Sequence, residues 1–156
     1  ADGQHDLSKI PELISLSEQH PTALISGHPV YDDSVPMGRF IARYITHFWV
    51  WIETLSFKIK DSMCGFRVYP VSACCRLMDT TYIGRFMDFD TEIMVKLYWA
   101  DTPVIMTPTD VVYPEENTSN FRVWKDNWLI TKMHTRLVFG MLIRAPLLIW
   151  RKFKRS

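Results

Sequence analysis

Between Pro36 and about Lys60, the residues Phe40, Tyr44, Phe48, Trp51 and Leu55 recur at steps of three and four. That is the period of a single helical face, so the stretch predicts one long helix with a wide apolar side. A second such stretch, Phe121 to Leu142, places Trp124, Trp128, Ile130, Met133, Leu137 and Met141 on its apolar side. Helices of this length gain most of their stability from packing, so both need a partner surface. Arg39, Arg43 and His47 follow one another at i, i+4 and i+8 in the first helix and form a cationic stripe on a neighbouring face. Such a stripe is either solvated or binds an anion.

Shorter elements fall between and before these helices. Leu7 to Glu18 predicts a helix with Pro11 in its first turn, where a missing N–H costs nothing. Thr22 to Ser26 predicts a strand ended by Gly27 and Pro29, followed by a polar loop at Tyr31-Asp32-Asp33-Ser34. A strand is expected around Gly65 to Tyr69 and a short helix over Val71 to Met78. Asp90 is the expected N-cap of a helix from Thr91 to Trp99. Pro103 to Val112 is β-branched and strand-like, with Pro108 marking an edge or a bulge. Tyr113 to Asn120 is a polar loop. Strands alternating with helices point to an α/β layered architecture, with more aromatic helix than a small sheet needs for cover.

At 156 residues the chain is the size of one domain. A formal net charge of +1 gives no support for bulk nucleic-acid binding. Three cysteines, two of them neighbours, match no zinc spacing and fit a reduced compartment. The longest apolar run, Leu137 to Trp150, is interrupted by Gly140, Arg144 and Pro146 and is too short to cross a bilayer. It is followed by the basic tail Arg151-Lys152-Phe153-Lys154-Arg155. With Trp124 and Trp128 this gives the composition of a segment lying in a headgroup layer, unless those faces bury against another protein surface.

Four groups of residues have chemical potential. Asp2-Gly3-Gln4-His5-Asp6 offers hard oxygen donors suited to Mg²⁺ or Mn²⁺, although Asp and Gln before a helix also serve as caps. Lys60 to Tyr69 contains Asp61, a glycine at position 65 and Arg67, whose guanidinium fork suits phosphate. Met87-Asp88-Phe89-Asp90-Thr91-Glu92 sets three carboxylates at a helix start, where they either cap the helix or supply a general base. Tyr113 to Arg122 is a polar loop, including Ser119, of the kind that closes over ligands.

The order of these blocks is more specific than any one of them. Asp-Gly-Gln-His-Asp, Ile-Ser-Gly, Asp-Ser-Met-Cys-Gly-Phe-Arg-Val-Tyr, Phe-Asp-Thr-Glu and Ser-Asn-Phe-Arg, in that sequence, resemble the family 2 glycosyltransferases of the GT-A fold. The likeness is to the branch containing dolichol-phosphate mannose synthase and bacterial polyprenyl-phosphate sugar transferases, and it runs from Ala1 to about Leu142. It implies the C-terminal, acceptor-side part of a Rossmann-like domain with a small mixed sheet, residues 143–156 forming a membrane-surface tail. Asp2 corresponds to the second Asp of the family's metal-binding Asp-x-Asp motif, with Gln4 beside it. The first Asp, and the half that holds the nucleotide, are expected upstream, so the chain alone is expected to be inactive.

The implied partners are a nucleotide-sugar donor, a lipid-phosphate or envelope-glycan acceptor, the missing N-terminal half of the domain and a membrane surface. The implied location is the cytoplasmic face of a bacterial inner membrane. Asp61 and Asp90 are the two candidates for a catalytic base, needed only if the acceptor is a hydroxyl. Arg39, Arg43, Arg67, Glu92 and Ser119 are the expected substrate contacts. One departure stands out: after Ile25-Ser26-Gly27 the relatives often carry Arg, and this chain has His28-Pro29. The competing expectation is a non-catalytic interaction module on a degenerate version of the same fold.

Overall fold

The computed structural model describes residues 6–30, 37–111 and 122–155, apart from the side chains of Arg39 and Arg155. A 3₁₀ turn, Leu7–Lys9, leads into α1, Ile10–Gln19, with Pro11 at its start as expected. Next come β1, Leu24–Val30, α2, Met37–Thr54, and β2, Arg67–Val68. The chain continues through α3, Val71–Thr80, α4, Phe89–Trp99, β3, Val104–Asp110, and α5, Val123–Arg155. The fold is α/β.

The sheet has the order β2-β1-β3. β1 pairs parallel with β3 from Leu24↔Val104 to Val30↔Asp110, and antiparallel with β2 at Ile25↔Val68 and Ser26↔Arg67. Alternation along β1 splits the core in two. Ile25 joins Leu13 and Ala23 under α1, while Leu24 joins the larger cluster beneath α2, α4 and α5. α4 is the central element of that cluster: Thr91 to Val95, Leu97 and Trp99 are all buried. A helix surrounded on all sides needs no single apolar stripe. Gly140 on α5 lies against the Trp99 ring, and an added Cβ would fall 2.7 Å from it.

Several boundaries differ from those the sequence predicts. β1 runs through Gly27 and Pro29 to Val30. Gly27 N donates to Phe66 O on the β2 side. Two residues later Pro29 faces the same side, beyond the short ladder with β2, where no donor is needed. Among the described residues Pro108 sits in an edge strand, as expected. α2 stops at Thr54, short of Lys60, because Leu55 takes a left-handed conformation with φ of 50° and Ser56 N closes back on Trp51 O. β2 is two residues long, shorter than the strand expected over 65–69. α4 begins at Phe89 with Asp88 at the N-cap, so Asp90 lies in the first turn instead of capping it. α5 continues through Pro146 to Arg155.

The largest difference is rotational. Tyr44 and Phe48 of α2 are exposed, whereas Thr46, His47, Val50, Glu53 and Thr54 face inward. Of the expected apolar face, Phe40, Trp51 and Leu55 are half-buried, and Leu55 packs against the core. On α5, Met133, Leu137 and Met141 are buried as expected, but Trp124 is 91% exposed and Trp128 is also exposed. No helix of the described residues is long and apolar enough to cross a membrane. The predicted loops at 31–34 and 113–120 lie outside the described residues.

Candidate functional site

One turn of α2 separates Arg43 from His47, so both side chains leave the same inward face. They meet Asp61, which is 1% exposed. Arg43 donates from Nε to Asp61 Oδ2 at 2.6 Å and from Nη2 to Oδ1 at 3.2 Å. His47 Nε2 lies 3.3 Å from Oδ2. Oδ1 also accepts the backbone N–H groups of Met63 (2.8 Å) and Cys64 (2.7 Å), an Asx-type turn that folds the 61–64 segment around its own carboxylate. Burial by itself would raise the Asp61 pKa. The hydrogen bonds and charges of His47 and Arg43 outweigh it and hold the carboxyl well below the usual range. A carboxylate so saturated is a weak proton acceptor and a firm anchor.

The same segment is tied to α4 by Arg67, whose side chain is 0% exposed. Its Nη2 donates to Ser62 O at 2.7 Å and its Nη1 to Asp90 O at 2.6 Å. Nη1 also reaches Tyr69 Oη at 3.3 Å and lies 3.8 Å from Asp90 Oδ1. Thr91 Oγ1 adds a bond to Ser62 O at 3.2 Å. The Gly-Phe-Arg arginine is therefore a brace within the fold. It joins the turn that carries Asp61 to the first turn of α4. Asp90 itself keeps a half-exposed carboxylate, with Tyr69 Oη 3.5 Å from Oδ1.

His28 on β1 faces this group: Asp61, Lys60, His47 and Arg43 are the charges that act on it. Burial pulls its pKa down, with Asp61 opposing. The Nδ1 atoms of His28 and His47 are both buried without a hydrogen-bond partner among the described residues. These two imidazole nitrogens, beside a fixed Arg–Asp pair, are buried polar atoms with hydrogen-bonding capacity left over.

The remaining expected residues separate from this strip. Glu92 is fully buried and makes its own knot, accepting from Gly84 N (2.8 Å) and Arg136 Nη2 (2.9 Å), with Lys96 Nζ 2.9 Å from its other oxygen. That geometry holds α4 to α5 and leaves no edge for a substrate. Arg39 sits one turn before Arg43 on α2, its side chain outside the description. Asp2, Gln4 and Ser119 lie outside the described residues. Among those described, no group of three or more His, Cys, Asp or Glu side chains gathers to hold a metal. Tyr69 was not among the residues the sequence singled out, and His47 entered only as a member of the i, i+4 stripe with Arg43.

No family model matches the chain. No solved structure matches it either. It is similar to a dolichyl-phosphate beta-glucosyltransferase of Dictyostelium discoideum, 25% identical over 146 residues. The match covers 87% of this chain and 43% of that protein, so the chain spans less than half the length of its curated relative. The similarity supports a glycosyltransferase-like function at that coarse level.

Proposed function

We propose that this chain is the acceptor-side part of a family 2, GT-A glycosyltransferase that moves a sugar from a nucleotide-sugar donor to a lipid-phosphate or envelope-glycan acceptor at a membrane surface. The observation that carries the reading is the Arg67 brace. It brings the Asp61 turn and the Asp90 turn, distant in sequence, into one polar strip beside His28. The similarity to a dolichyl-phosphate sugar transferase agrees with it.

In this reading Asp61 is a positioning residue that fixes Arg43 and His47, and Asp90 is the carboxylate with an open side for proton transfer. A hydroxyl acceptor needs such a base; a lipid phosphate is already an anionic nucleophile. His28, which stands where the resembled family often carries an arginine, and His47 supply the nitrogens that orient the acceptor oxygen. Asp2 and Gln4 offer a carboxylate and an amide oxygen, a donor set that fits Mg²⁺ or Mn²⁺. When bound, the ion would offset the charge of the departing diphosphate.

The test uses the product of the complete gene with Mn²⁺, a panel of nucleotide sugars, and both a polyprenyl phosphate and a hydroxyl-bearing glycolipid. Transfer to one of them is expected. If the hydroxyl acceptor is the substrate, Asp90→Asn should lower kcat by about 10²–10⁴-fold; if the phosphate is, the variant stays near wild type. A folded protein that transfers no sugar to either acceptor removes the reading.

A further inference from the structure

The C-terminal ends of α2 and α4 meet the last turns of α5 around a cleft of about 250 Å³. Ser56 and Lys58 line it from the segment after α2, Tyr98 and Asp101 from the end of α4, and Arg151 and Lys152 from α5. None of these residues belongs to the Asp61–Asp90 strip.

Its charges are unevenly engaged. Arg151 Nη1 donates to Trp99 O at 2.8 Å and lies 3.5 Å from Asp101 Oδ1, closing the carbonyl end of α4. Lys58 and Lys152 are exposed, and neither ammonium has an ion-pair or hydrogen-bond partner among the described residues. Two uncommitted cations thus flank a recess that also offers the hydroxyls of Ser56 and Tyr98.

The backbone points to the same place. Leu55 (φ 50°) and Asp101 (φ 67°) are the two non-glycine residues with left-handed backbone among those described. Each follows a helix end where glycine is the usual occupant. Such conformations persist where the surroundings hold them, and they gather at functional sites.

Size and rim select the ligand. The cleft falls below the range of about 300–1,000 Å³ that takes a drug-sized molecule, so it suits a small anionic group. Phe57, 79% exposed, stands between Ser56 and Lys58, and the exposed Leu147 and Trp150 flank the α5 wall. Aromatic and aliphatic side chains around a cationic recess match the boundary between headgroups and acyl chains. We propose that this cleft binds the phosphate headgroup of an anionic membrane lipid and seats the end of α5 on the bilayer. The proposal deepens the membrane-surface part of the reading above and rests on that part alone.

The experiment is co-flotation of the 156-residue chain with phosphatidylcholine vesicles, with and without phosphatidylglycerol, at low and moderate salt. A second arm is an amide NMR titration with inorganic phosphate. The variant pair Lys58→Gln/Lys152→Gln is compared with Lys60→Gln/Lys132→Gln, exposed lysines outside the lining, the second of them far back along α5. Each cleft lysine should contribute about five-fold to binding of anionic vesicles, so the first pair should weaken it by about 25-fold and the control pair far less. Equal losses from the two pairs overturn the cleft and leave the membrane reading standing. Wild type that floats with neither vesicle overturns both; if inorganic phosphate still shifts the cleft amides, the ligand is a soluble phosphate compound instead.

Discussion

Asp61 and Glu53 are two carboxylates sealed against the same helix, α2, and their surroundings treat them in opposite ways. Asp61 meets Arg43 twice, His47 once and two backbone N–H groups. Glu53 meets His134 Nδ1 at 2.7 Å through one oxygen, while its other oxygen has no partner among the described residues. Burial raises the Glu53 pKa and the bond to His134 only partly opposes it, whereas the donors around Asp61 overcome burial altogether. The number and charge of donors, rather than depth, decide whether a buried carboxyl holds its proton. The saturated end of α2 faces the candidate site; the unsaturated end lies between α2 and α5.

The strongest way to break this comparison is Asp61→Ala. It would leave the half-buried Arg43 and the buried His47 without this carboxylate, and a loss of about 3–5 kcal/mol in urea unfolding is expected. A variant with unchanged stability would show that the Arg43–Asp61 pair is solvated in solution and that Asp61 anchors nothing.

A pH series sharpens it. The folded pKa of Asp61 lies below its ordinary value of 3.8, so its contribution is fully present above about pH 4 and is lost as the pH falls. The slope from one such group reaches at most about 1.4 kcal/mol per pH unit. Wild type should show that acid slope, and Asp61→Asn should lack it. Equal slopes would assign acid unfolding to other carboxyls.

The smallest effect is expected at the other end of the helix. The Glu53 pKa is raised above its ordinary 4.5, so stability from its neutral form is present below that value and is lost as the pH rises through the folded one. Glu53→Gln keeps the shape and removes the titration. It should differ from wild type by about 1 kcal/mol or less, with the balance moving in favour of Gln as the pH rises above the ordinary Glu value of 4.5. A thermal-melt series in which the two curves stay parallel would mean that Glu53 remains ionised against His134.

Much of the architecture was legible because it depends on local periods and turn chemistry. The helical repeat marked α2 and α5, Pro11 marked the start of α1, and the β-branched run before Val112 marked β3, with Pro108 marking an edge or a bulge. Arg43 and His47 were legible as neighbours on one face. The role of that face was not legible. Asp61 lies 18 residues beyond Arg43, and nothing in the local pattern shows that the chain turns back to bring it there. Glu92 looked available at a helix mouth until Arg136 and Lys96 closed over it.

The sequence by itself determined the kind and order of the helices and strands and which residues share a side of each, since these follow from backbone geometry within a few residues. Only the tertiary structure decided which side faces inward. A helix face carrying Arg43, His47 and Glu53 is costly to bury alone and becomes acceptable once Asp61 and His134 supply charged hydrogen-bond partners. Those partners come from other elements. The same long-range pairing left Tyr44 and Phe48 exposed, and brought Lys58 and Lys152 to one cleft.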